Sequence, residues 1–504
     1  MAFASLLNRA AQRRGNEVAL IDAGSGTHLS FAELAAACFG LGNQLTGRFA
    51  PGDRVALLAD AQIEYLIADY GTMAAGLVRV PLDPALSPPE LAGQLKDAGA
   101  KCLLASATRS AAAQAIRSLI AESELAILSL EDTVASARPA APAANALVLP
   151  PQALASLNYT GGTTTAPKAV MLSHGNLRAI LQNIVMARGT APGEVMLNVR
   201  PLWPIAAVIV LAQLMAGGSV VLGGSFDPAR FVALLRQYRA SSTSLVPTHL
   251  VRLLRDVSPE ELRGLDTLRA IDVGAAAIPP AVFRQALDAM GPKIGVLYGL
   301  TEASWSCYQH PCELQGSGDL VPPARMVTAG RPVFGCDLRI TPESGEILIR
   351  GANVMQGYWK RPELTQQVLA EGWFHTGDVG RIDDAGYLSV TGRLKEIIRT
   401  GGKSVQPGEV EEALCEHPQV AEAVVVGIPD AEWGEIVAAV VVPANGAALT
   451  VRALAEHCAA VLSTHKRPKL FKLDARLPRS HYGKVQRARV IADLMEYRRR
   501  PTEA

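Results

Sequence analysis

The segment Leu157–Lys168 reads Leu-Asn-Tyr-Thr-Gly-Gly-Thr-Thr-Thr-Ala-Pro-Lys, follows an apolar strand pattern and precedes Ala169–His174, which leads into a predicted helix. Glycines let backbone N–H groups approach an anion, and hydroxyl and ammonium groups donate to its oxygens. It is not a Walker loop, because alanine follows the lysine. Alone, the segment suits a phosphate loop or a flexible turn equally well. The candidate phosphate ligands are Thr160, Gly161, Gly162, Thr163, Thr164, Thr165 and Lys168.

A second motif ends another apolar strand pattern and reads Tyr298-Gly299-Leu300-Thr301-Glu302. Open α/β sheets bind their ligands at the carboxyl ends of strands. At such a position Tyr298 suits contact with a base, and the hydroxyl of Thr301 suits donation to a phosphate. The carboxylate of Glu302 suits Mg²⁺, which prefers carboxylate and phosphate oxygens.

Three shorter motifs follow toward the carboxyl terminus. In Phe374–Asp378 we predict a turn in which Asp378 accepts hydrogen bonds from both hydroxyls of a ribose. Gly392-Arg393-Leu394-Lys395 and Gly483-Lys484 add cationic side chains. Taken singly, each of these motifs has an equally good structural interpretation as a turn, a surface charge or a helix cap.

In this order the five motifs closely resemble those of the adenylate-forming (AMP-binding) superfamily, which includes acyl- and aryl-CoA synthetases, peptide-synthetase adenylation domains and luciferases. Tyr159–Ala169 is similar to the family's phosphate loop, Tyr298–Glu302 matches its Tyr-Gly-x-Thr-Glu motif, and Thr376–Asp378 matches its Thr-Gly-Asp. Gly392–Lys395 resembles the hinge and Pro478–Arg487 the C-terminal lysine loop. The matches run through most of the chain, and the type they resemble is an acyl- or aryl-CoA synthetase.

Hydrophobic patterning predicts an α/β protein. In the first 150 residues, strand patterns such as Arg54–Leu58 and Val78–Leu82 alternate with helices that begin at the capping boxes Ser30–Glu33 and Ser87–Glu90. Strands and helices that alternate at this spacing predict a parallel sheet covered by helices.

Around residue 395 the pattern changes to two long strands, Ala423–Gly427 and Ile436–Val442. We expect a small α+β domain of two or three strands here. The resemblance implies a large domain, residues 1–394, of stacked β-sheets with covering helices and a barrel-like segment. A small mobile C-terminal domain, residues 395–504, would follow it, with its hinge at Lys395.

The resemblance implies a two-step reaction. In the first step a carboxylate attacks the α-phosphorus of ATP, which gives an acyl-adenylate and pyrophosphate. Lys484 would bridge the carboxylate and the α-phosphate, Thr301 would contact the α-phosphate, and Glu302 would bind Mg²⁺. The remaining implied nucleotide contacts are Asp378 and Arg393 at the ribose, and Gly274, Ala275, Ala276, Tyr298 and Gly299 at the adenine.

In the second step, thioester formation, the small domain would rotate about Lys395. This rotation would withdraw Lys484 and bring Gly401 and Gly402 to a tunnel for a pantetheine thiol. Free coenzyme A is the expected acceptor, and a separate acyl carrier protein is the second choice. The same motifs would also suit a low-turnover adenylate-binding module, or an oxygenase that uses the adenylate as luciferases do.

The substrate is expected to be a hydrophobic carboxylic acid, whether aryl, medium- or long-chain, or alicyclic. The resemblance implies that Trp203–Leu211 contributes to the acyl pocket, where relatives that activate amino acids usually carry an aspartate. This stretch contains no acid, and burial of an unpaired ammonium costs several kcal/mol, which argues against an amino acid. His249 is expected either to line the pocket or to be a satisfied core histidine. The candidate acyl-pocket residues are Trp203, Pro204, Ile205, Val208, Val246, His249, Leu300 and Trp305.

The sequence departs from the family pattern at four positions that bear on activity. The phosphate loop has Gly161, Thr165 and Ala169 where relatives usually carry serine, glycine and glycine. The first change removes a hydroxyl donor, and the second places a β-branched residue where backbone freedom is usual. Pro204 stands where many relatives carry a histidine, so their substrate rules transfer poorly.

Composition excludes several other classes of function. The 504 residues carry a net charge of +1, so there is no electrostatic footprint for nucleic acid or anionic lipid. No apolar run reaches the ~20 residues that span a bilayer. The seven cysteines form no CxxC pair, which favours reduced thiols. We therefore expect a cytoplasmic enzyme, monomeric or homodimeric.

Overall fold

The computed structural model of the protein describes residues 3–120, 124–141, 149–160, 168–314, 328–444, 446–479 and 485–499. These residues form a mixed α/β structure with a large N-terminal part and a small C-terminal domain. The fold class predicted from the sequence is therefore confirmed. Strands and helices are numbered along the chain.

A nine-stranded sheet forms one layer of the large N-terminal part. From edge to edge it contains β15 (Arg331–Pro332), β14 (Cys307–Gln309), β13 (Ile294–Tyr298), β12 (Ala270–Val273), β11 (Ser242–Leu245), β9 (Val195–Asn198), β10 (Ser219–Leu222), β1 (Val18–Asp22) and β2 (His28–Ser30). The strands from β13 to β1 run parallel, and β2, β14 and β15 pair antiparallel. The carboxyl ends of β9, β11, β12 and β13 therefore meet at one edge of the sheet, which we call the carboxyl edge.

A seven-stranded sheet forms the second layer. Its order is β18 (Gly357–Tyr358), β8 (Lys168–Ser173), β7 (Leu154–Thr160), β4 (Val78–Pro81), β3 (Arg54–Leu58), β5 (Cys102–Ala105) and β6 (Ala126–Ser129). The run from β7 to β6 is parallel, which confirms the parallel sheet predicted from the first 150 residues. β8 and β18 are added antiparallel.

The helices cover and separate these sheets. Both predicted capping boxes are present, because Ser30 N donates to Glu33 at 2.8 Å and Ser87 N donates to Glu90 at 2.9 Å. The α-helices are α1 (Phe3–Arg14), α2 (Phe31–Thr46), α3 (Ile63–Ala74), α4 (Pro88–Ala98), α5 (Ser110–Leu119), α6 (Leu130–Ser136), α7 (His174–Arg188), α8 (Ala206–Met215), α9 (Pro228–Gln237), α10 (Pro247–Asp256), α11 (Pro259–Arg263), α12 (Pro280–Met290), α13 (Pro362–Val368), α14 (Pro407–Cys415), α15 (Val451–Val461) and α16 (Arg487–Arg499).

The main apolar core lies between the two large sheets. A single cluster joins buried side chains of α2, α3, α7 and α8 with those of β1 and β3, such as Leu34, Ile180, Leu20 and Leu57. These helices therefore share one continuous apolar core with strands of both sheets.

Five antiparallel strands occupy the segment expected to be barrel-like. They are β16 (Cys336–Ile340), β17 (Glu346–Gly351), β19 (Leu369–Ala370), β20 (Trp373–Ile382) and β21 (Leu388–Arg393). β20 is the central strand, since it pairs with β17, β19 and β21.

The C-terminal domain has more strands than the sequence indicated. Besides β24 (Val420–Asp430) and β25 (Gly434–Pro443), which contain the two predicted strands, the sheet includes β22 (Ile398–Thr400), β23 (Lys403–Val405) and β26 (Leu470–Leu473). Strands of three or four residues are too short to leave a periodic pattern. Its two apolar clusters contain buried residues only from Ile398 onward. The boundary and hinge at Lys395 stay predictions.

Candidate active site

The predicted phosphate loop connects two antiparallel strands. Thr160 at the end of β7 is paired with Lys168 at the start of β8. Both residues are half-buried. The loop residues Gly161, Gly162, Thr163, Thr164 and Thr165 lie outside the described residues, as does Lys484. Thr160 and Lys168 thus mark the two ends of the loop.

Lys168 and Glu302 lie on two sides of one tyrosine. Tyr358 Oη donates a hydrogen bond to Glu302 Oε1 at 2.8 Å. The ammonium of Lys168 lies 5.7 Å from the centroid of the Tyr358 ring, within cation–π distance. Burial, and then the charge of Glu302, raises the pKa of Tyr358, so the hydroxyl stays protonated as a donor. Two motifs that are far apart in sequence are thereby brought together.

Backbone pairing sets the position of Tyr358. In β18 it pairs with Val170 of β8, and the next residue, Trp359, donates its N–H to Ala169 at 2.9 Å. Met355 N donates to the carbonyl of Glu302 at 2.8 Å. Sequence reasoning missed Tyr358, because a two-residue strand carries no periodic signal.

Asp378 is held by two other predicted site residues. Tyr298 Oη donates to Asp378 Oδ2 at 2.8 Å, and Arg393 Nε lies 2.6 Å from Asp378 Oδ1. Burial, and then the charge of Asp378, raises the pKa of Tyr298. A carboxylate has about four acceptor positions in all, so a carboxylate held in this way can also accept from the hydroxyls of a sugar.

The prediction that Asp378 sits in a turn is wrong. The residue lies within β20, opposite Arg393 of β21. Gly377 has a φ of 68°, and the pairing register shifts between Val379 and Gly380. The glycine that suggested a turn instead permits an irregularity inside a continuous strand.

The predicted adenine contacts lie at the carboxyl edge, where β12 and β13 end. Gly274 follows β12 and is buried, whereas Ala275 and Ala276 are exposed. A Cβ at Gly299 would lie 2.7 Å from the backbone N of Trp305, so this close approach requires glycine. Thr301 is half-buried in the bend that follows β13.

The predicted acyl-pocket residues divide by burial. Trp203, Val208 and Trp305 are buried. The half-buried group contains Pro204, Ile205, Val246, His249 and Leu300. Ile205, Val208, Leu300 and Trp305 share the main apolar cluster, which is consistent with an apolar surface beside the carboxyl edge.

His249 has an environment unlike that of a satisfied core histidine. Its ring stacks on Phe226, with centroids 4.3 Å apart and an interplanar angle of 9°. Nδ1 is buried and has no hydrogen-bond partner among the described residues. Burial, followed by the charges of Arg200 and Arg252, lowers the pKa of His249 to about 4, so the ring is neutral near pH 7.

Arg200 is a second polar residue of the carboxyl edge that sequence reasoning missed. It follows β9, is half-buried, and donates from Nη1 to Ser244 Oγ at 3.0 Å. Its signal in the sequence is a single arginine after the apolar strand pattern, two residues before Leu202, and it belongs to no motif.

The residues predicted to form the hinge and the tunnel are exposed at the surface. Lys395 is exposed in a single 3₁₀ turn. Gly401 and Gly402, with φ of 54° and 75°, connect β22 and β23. Two consecutive positive φ values are typical of a type I′ hairpin turn, so the turn geometry by itself favours glycine.

The residues present suit Mg²⁺ as a companion of ATP. Oε2 of Glu302 accepts no hydrogen bond from the described residues, which leaves it available to a cation. Mg²⁺ is commonly held by one or two carboxylates plus substrate phosphates. Within the described part of the chain, no cluster of three or more His, Cys, Asp or Glu side chains could hold a metal ion alone.

Two further predictions concern the whole chain. All seven cysteines are free thiols, as expected. Among the described residues, no helix is long and apolar enough to cross a bilayer.

Two family models match the sequence. The model described as AMP-binding enzyme matches residues 7–359, and the model described as AMP-binding enzyme C-terminal domain matches residues 409–484. The first covers more than half of the chain.

Individual proteins are similar over nearly their full lengths. Feruloyl-CoA synthase from Amycolatopsis sp is 34% identical over 481 residues, which cover 92% of this chain and 94% of that protein. Oxalate–CoA ligase from Arabidopsis thaliana is 32% identical over 466 residues, covering 88% and 89%. The structure of ATP-bound MatB from Rhodopseudomonas palustris superposes with a TM-score of 0.87 at 30% identity, covering 98% of this chain and 99% of that one.

Proposed function

The chain belongs to the AMP-binding enzyme family and is an AMP-forming acid–thiol ligase, and from this premise we propose that it activates a hydrophobic carboxylic acid as an acyl-adenylate and transfers the acyl group to coenzyme A. The observation that carries the proposal is the contact of Tyr358 with both Lys168 and Glu302. It holds a cation and a carboxylate of two different motifs against one side chain, which suits phosphate and metal binding.

In the first step a carboxylate oxygen of the acid bonds to the α-phosphorus, and the bond from that phosphorus to pyrophosphate breaks. Lys168 and the loop that it closes contribute positive charge and donors for the β- and γ-phosphates. Asp378 accepts hydrogen bonds from the ribose while Tyr298 and Arg393 hold its carboxylate. Mg²⁺ held by Glu302 would neutralise charge on the phosphate oxygens.

In the second step the thiol gives up its proton to solvent, its sulfur bonds to the acyl carbon, and AMP leaves with the electrons of the broken carbon–oxygen bond. We assign the hinge to Lys395 and the entrance of the pantetheine tunnel to the Gly401-Gly402 turn. Both are exposed, which leaves them accessible to a thiol that arrives from solvent. Lys484 is assigned to the first step alone.

Among the hydrophobic acids, an aryl acid is favoured. One relative is named for the synthesis of feruloyl-CoA, and that name carries an aromatic acid. Half-buried Ile205 and Leu300 belong to the same apolar cluster as Trp305, which suits a flat ring. Coenzyme A is the proposed acceptor, because the relatives are named for CoA products.

The test is ATP–pyrophosphate exchange with Mg²⁺ across fatty acids, benzoates, cinnamates, polycyclic acids and amino acids. We expect exchange with one apolar class, most strongly with aryl acids, and a thioester once coenzyme A is added. Exchange with amino acids alone would contradict the substrate class. A lack of exchange with every acid, despite ATP binding, would contradict the activity.

Lys484→Ala tests the division between the two steps. We expect the variant to lose most of its exchange activity, by roughly 100-fold or more, since one transition-state donor commonly contributes that much. It should still convert a supplied acyl-adenylate to thioester. Equal loss of both steps would contradict the role assigned to Lys484.

A further inference from the structure

Arg200 leaves most of its hydrogen-bonding capacity unused. A guanidinium has five N–H donors, and Arg200 makes one side-chain hydrogen bond among the described residues, to Ser244 Oγ at 3.0 Å. The backbone of Arg200 is held in place, because the side chain of Asn198 donates from Nδ2 to the carbonyl of Arg200 at 2.8 Å. The donors that Arg200 leaves unused are therefore available to a ligand with acceptor oxygens.

The carboxylate whose charge acts on Arg200 is already paired with another arginine. Asp272 of β12 is fully buried, lies 2.8 Å from Arg188 Nε, and accepts a hydrogen bond from Tyr308 at 2.5 Å. Burial lowers the pKa of Arg200, and the charge of Asp272 offsets part of this effect. Two guanidiniums and one carboxylate leave about one positive charge at this part of the carboxyl edge.

The other groups that face this charge do not cancel it. His249 is neutral near pH 7, as described above, and its buried Nδ1 has no partner among the described residues. Arg252 of α10 adds a further positive charge, exposed above the Phe226 ring at 5.5 Å. The recess of Arg200, Ser244 and His249 therefore combines excess positive charge with unused polar atoms.

We propose that this recess, named here the Arg200 recess, receives a second oxygen function at the far end of the substrate acid. The inference rests on the proposed function. The acid would have an apolar middle and a distal carboxylate or hydroxyl, with a carboxylate preferred because it matches the charge. Forked N–H donors suit a planar carboxylate best, since they donate two parallel hydrogen bonds.

The placement of the recess supports this assignment. Arg200 follows β9, Ser244 lies in β11, and His249 comes shortly after β11, on neighbouring strands of one sheet edge. The apolar side chains predicted for the acyl pocket, Ile205 and Val246, are five and two residues from Arg200 and Ser244. We therefore expect an acid whose apolar part lies on those side chains to place its far end toward the recess.

The experiment measures exchange with acids that differ only at the far end. One series is cinnamate, 4-hydroxycinnamate and 4-carboxycinnamate, and a second is hexanoate and adipate, which covers a different length. We expect kcat/KM for the acid with a distal oxygen to exceed that of its plain partner by at least about tenfold in one series, the range for a charged hydrogen bond.

Variants assign the preference to Arg200. In Arg200→Leu we expect the ratio between matched acids to fall about tenfold or more, while exchange with the plain acid is retained. Arg200→Lys keeps the positive charge and should therefore retain part of the difference in kcat/KM between the matched acids. Arg236→Leu is the matched control, since that arginine is exposed and donates to the backbone of Glu261 at 3.0 Å.

The outcomes separate the two proposals. Exchange with no acid contradicts the proposed function. Exchange that is equal for matched acids in both series, or an unchanged ratio in Arg200→Leu, overturns the Arg200 recess alone. If Arg200→Leu does not fold, His249→Phe keeps the stacking on Phe226 and removes Nδ1. An unchanged ratio in both His249→Phe and Arg200→Lys then overturns the inference.

Discussion

The carboxyl edge has two sides that differ in how their polar groups are held. On the side that we propose binds the nucleotide, Glu302 accepts from Tyr358, and Asp378 is held by Tyr298 and Arg393. On the side that we propose binds the acid, called the acyl side below, Arg200 makes one side-chain hydrogen bond, and His249 Nδ1 makes none with the described residues. The polar groups of the proposed nucleotide side are thus held in place before any ligand binds, whereas the acyl side leaves its donors for a ligand to satisfy.

Of the variants on the proposed nucleotide side, Glu302→Gln should lower the exchange activity most. The amide keeps the size of the side chain and can still accept from Tyr358, but it removes the charge that suits Mg²⁺. We expect exchange to fall on the order of 1,000-fold with every acid, because metal charge stabilisation contributes several kcal/mol. A loss confined to some acids would place Glu302 on the acyl side instead. Thermal denaturation checks that the variant folds.

Two histidines resist protonation, one of them His249 of the acyl side, and acid should therefore destabilise the fold. Burial lowers the pKa of His174, at the start of α7, to about 4, and both of its ring nitrogens lack partners among the described residues. Unfolding restores a pKa near 6.5. Between these values the unfolded chain binds the extra proton, so stability falls as pH drops from about 6.5 to about 4.

We expect His174 to account for about 3 kcal/mol of this loss. His174→Phe should flatten the dependence of the free energy of unfolding on pH, measured by urea denaturation at about pH 7 and about pH 4.5. His249→Phe on the acyl side should flatten it by a similar amount, because the pKa of that ring is also lowered to about 4. A pH dependence that neither variant changes would contradict the lowered pKa of both rings.

Tyr358→Phe tests how much the hydrogen bond that holds Glu302 in place contributes to Mg²⁺ binding. Phenylalanine keeps the ring beneath Lys168 and removes the donor to Glu302. We expect the Mg²⁺ concentration for half-maximal exchange to rise roughly tenfold, the size of a hydrogen bond to a charged group. A variant that is merely destabilised would instead lose activity equally at all Mg²⁺ concentrations.

Tyr387→Phe is the matched control for that variant. Tyr387 donates to Glu313 at 2.6 Å and has Arg331 over its ring at 5.0 Å, so the same three-group arrangement occurs in another part of the molecule. Its Mg²⁺ dependence should not change. A change of equal size in both variants would remove the special role of Tyr358.

The smallest effect is expected at the Gly401-Gly402 turn, which belongs to neither side. Alanine at either position adopts an unfavourable positive φ, which costs about 1 kcal/mol of stability. At Gly401 the new Cβ would also lie 2.7 Å from Trp433, whereas nothing lies within 4 Å at Gly402. Urea denaturation should therefore show Gly401→Ala as the less stable of the two variants.

The sequence predicts those parts of the candidate site that consist of consecutive residues. Tyr298–Glu302 could be interpreted alone, because its chemistry follows one strand end. Tyr358 and Arg200 could not, since their partners are 56 and 44 residues away and depend on how the strands pair. Asp378 does contact two other predicted site residues, but the sequence predicted a wrong local structure for it, because a glycine suits a turn and a strand irregularity alike.

The fold shows the same division. The strands predicted from longer patterns, such as Arg54–Leu58 and Ala423–Gly427, are present in the structure. A hydrophobic pattern over several residues is a stronger signal than any single residue. The two- and three-residue strands β18, β22 and β23 are not, because neighbouring strands supply the hydrogen bonds that define them. The number of strands in the C-terminal domain was underestimated for this reason.

The pairing of Tyr358 with Val170 also determines how much of the chain must be synthesised before the site can form. The two residues are 188 positions apart (358 − 170), so the ribosome finishes the strand after the phosphate loop long before its neighbour exists. At about 5–20 residues per second, that interval lasts roughly 10–40 s. We expect a nascent or prematurely ended chain to lack an organised Glu302, and therefore to consume no ATP until nearly the whole large domain has been made.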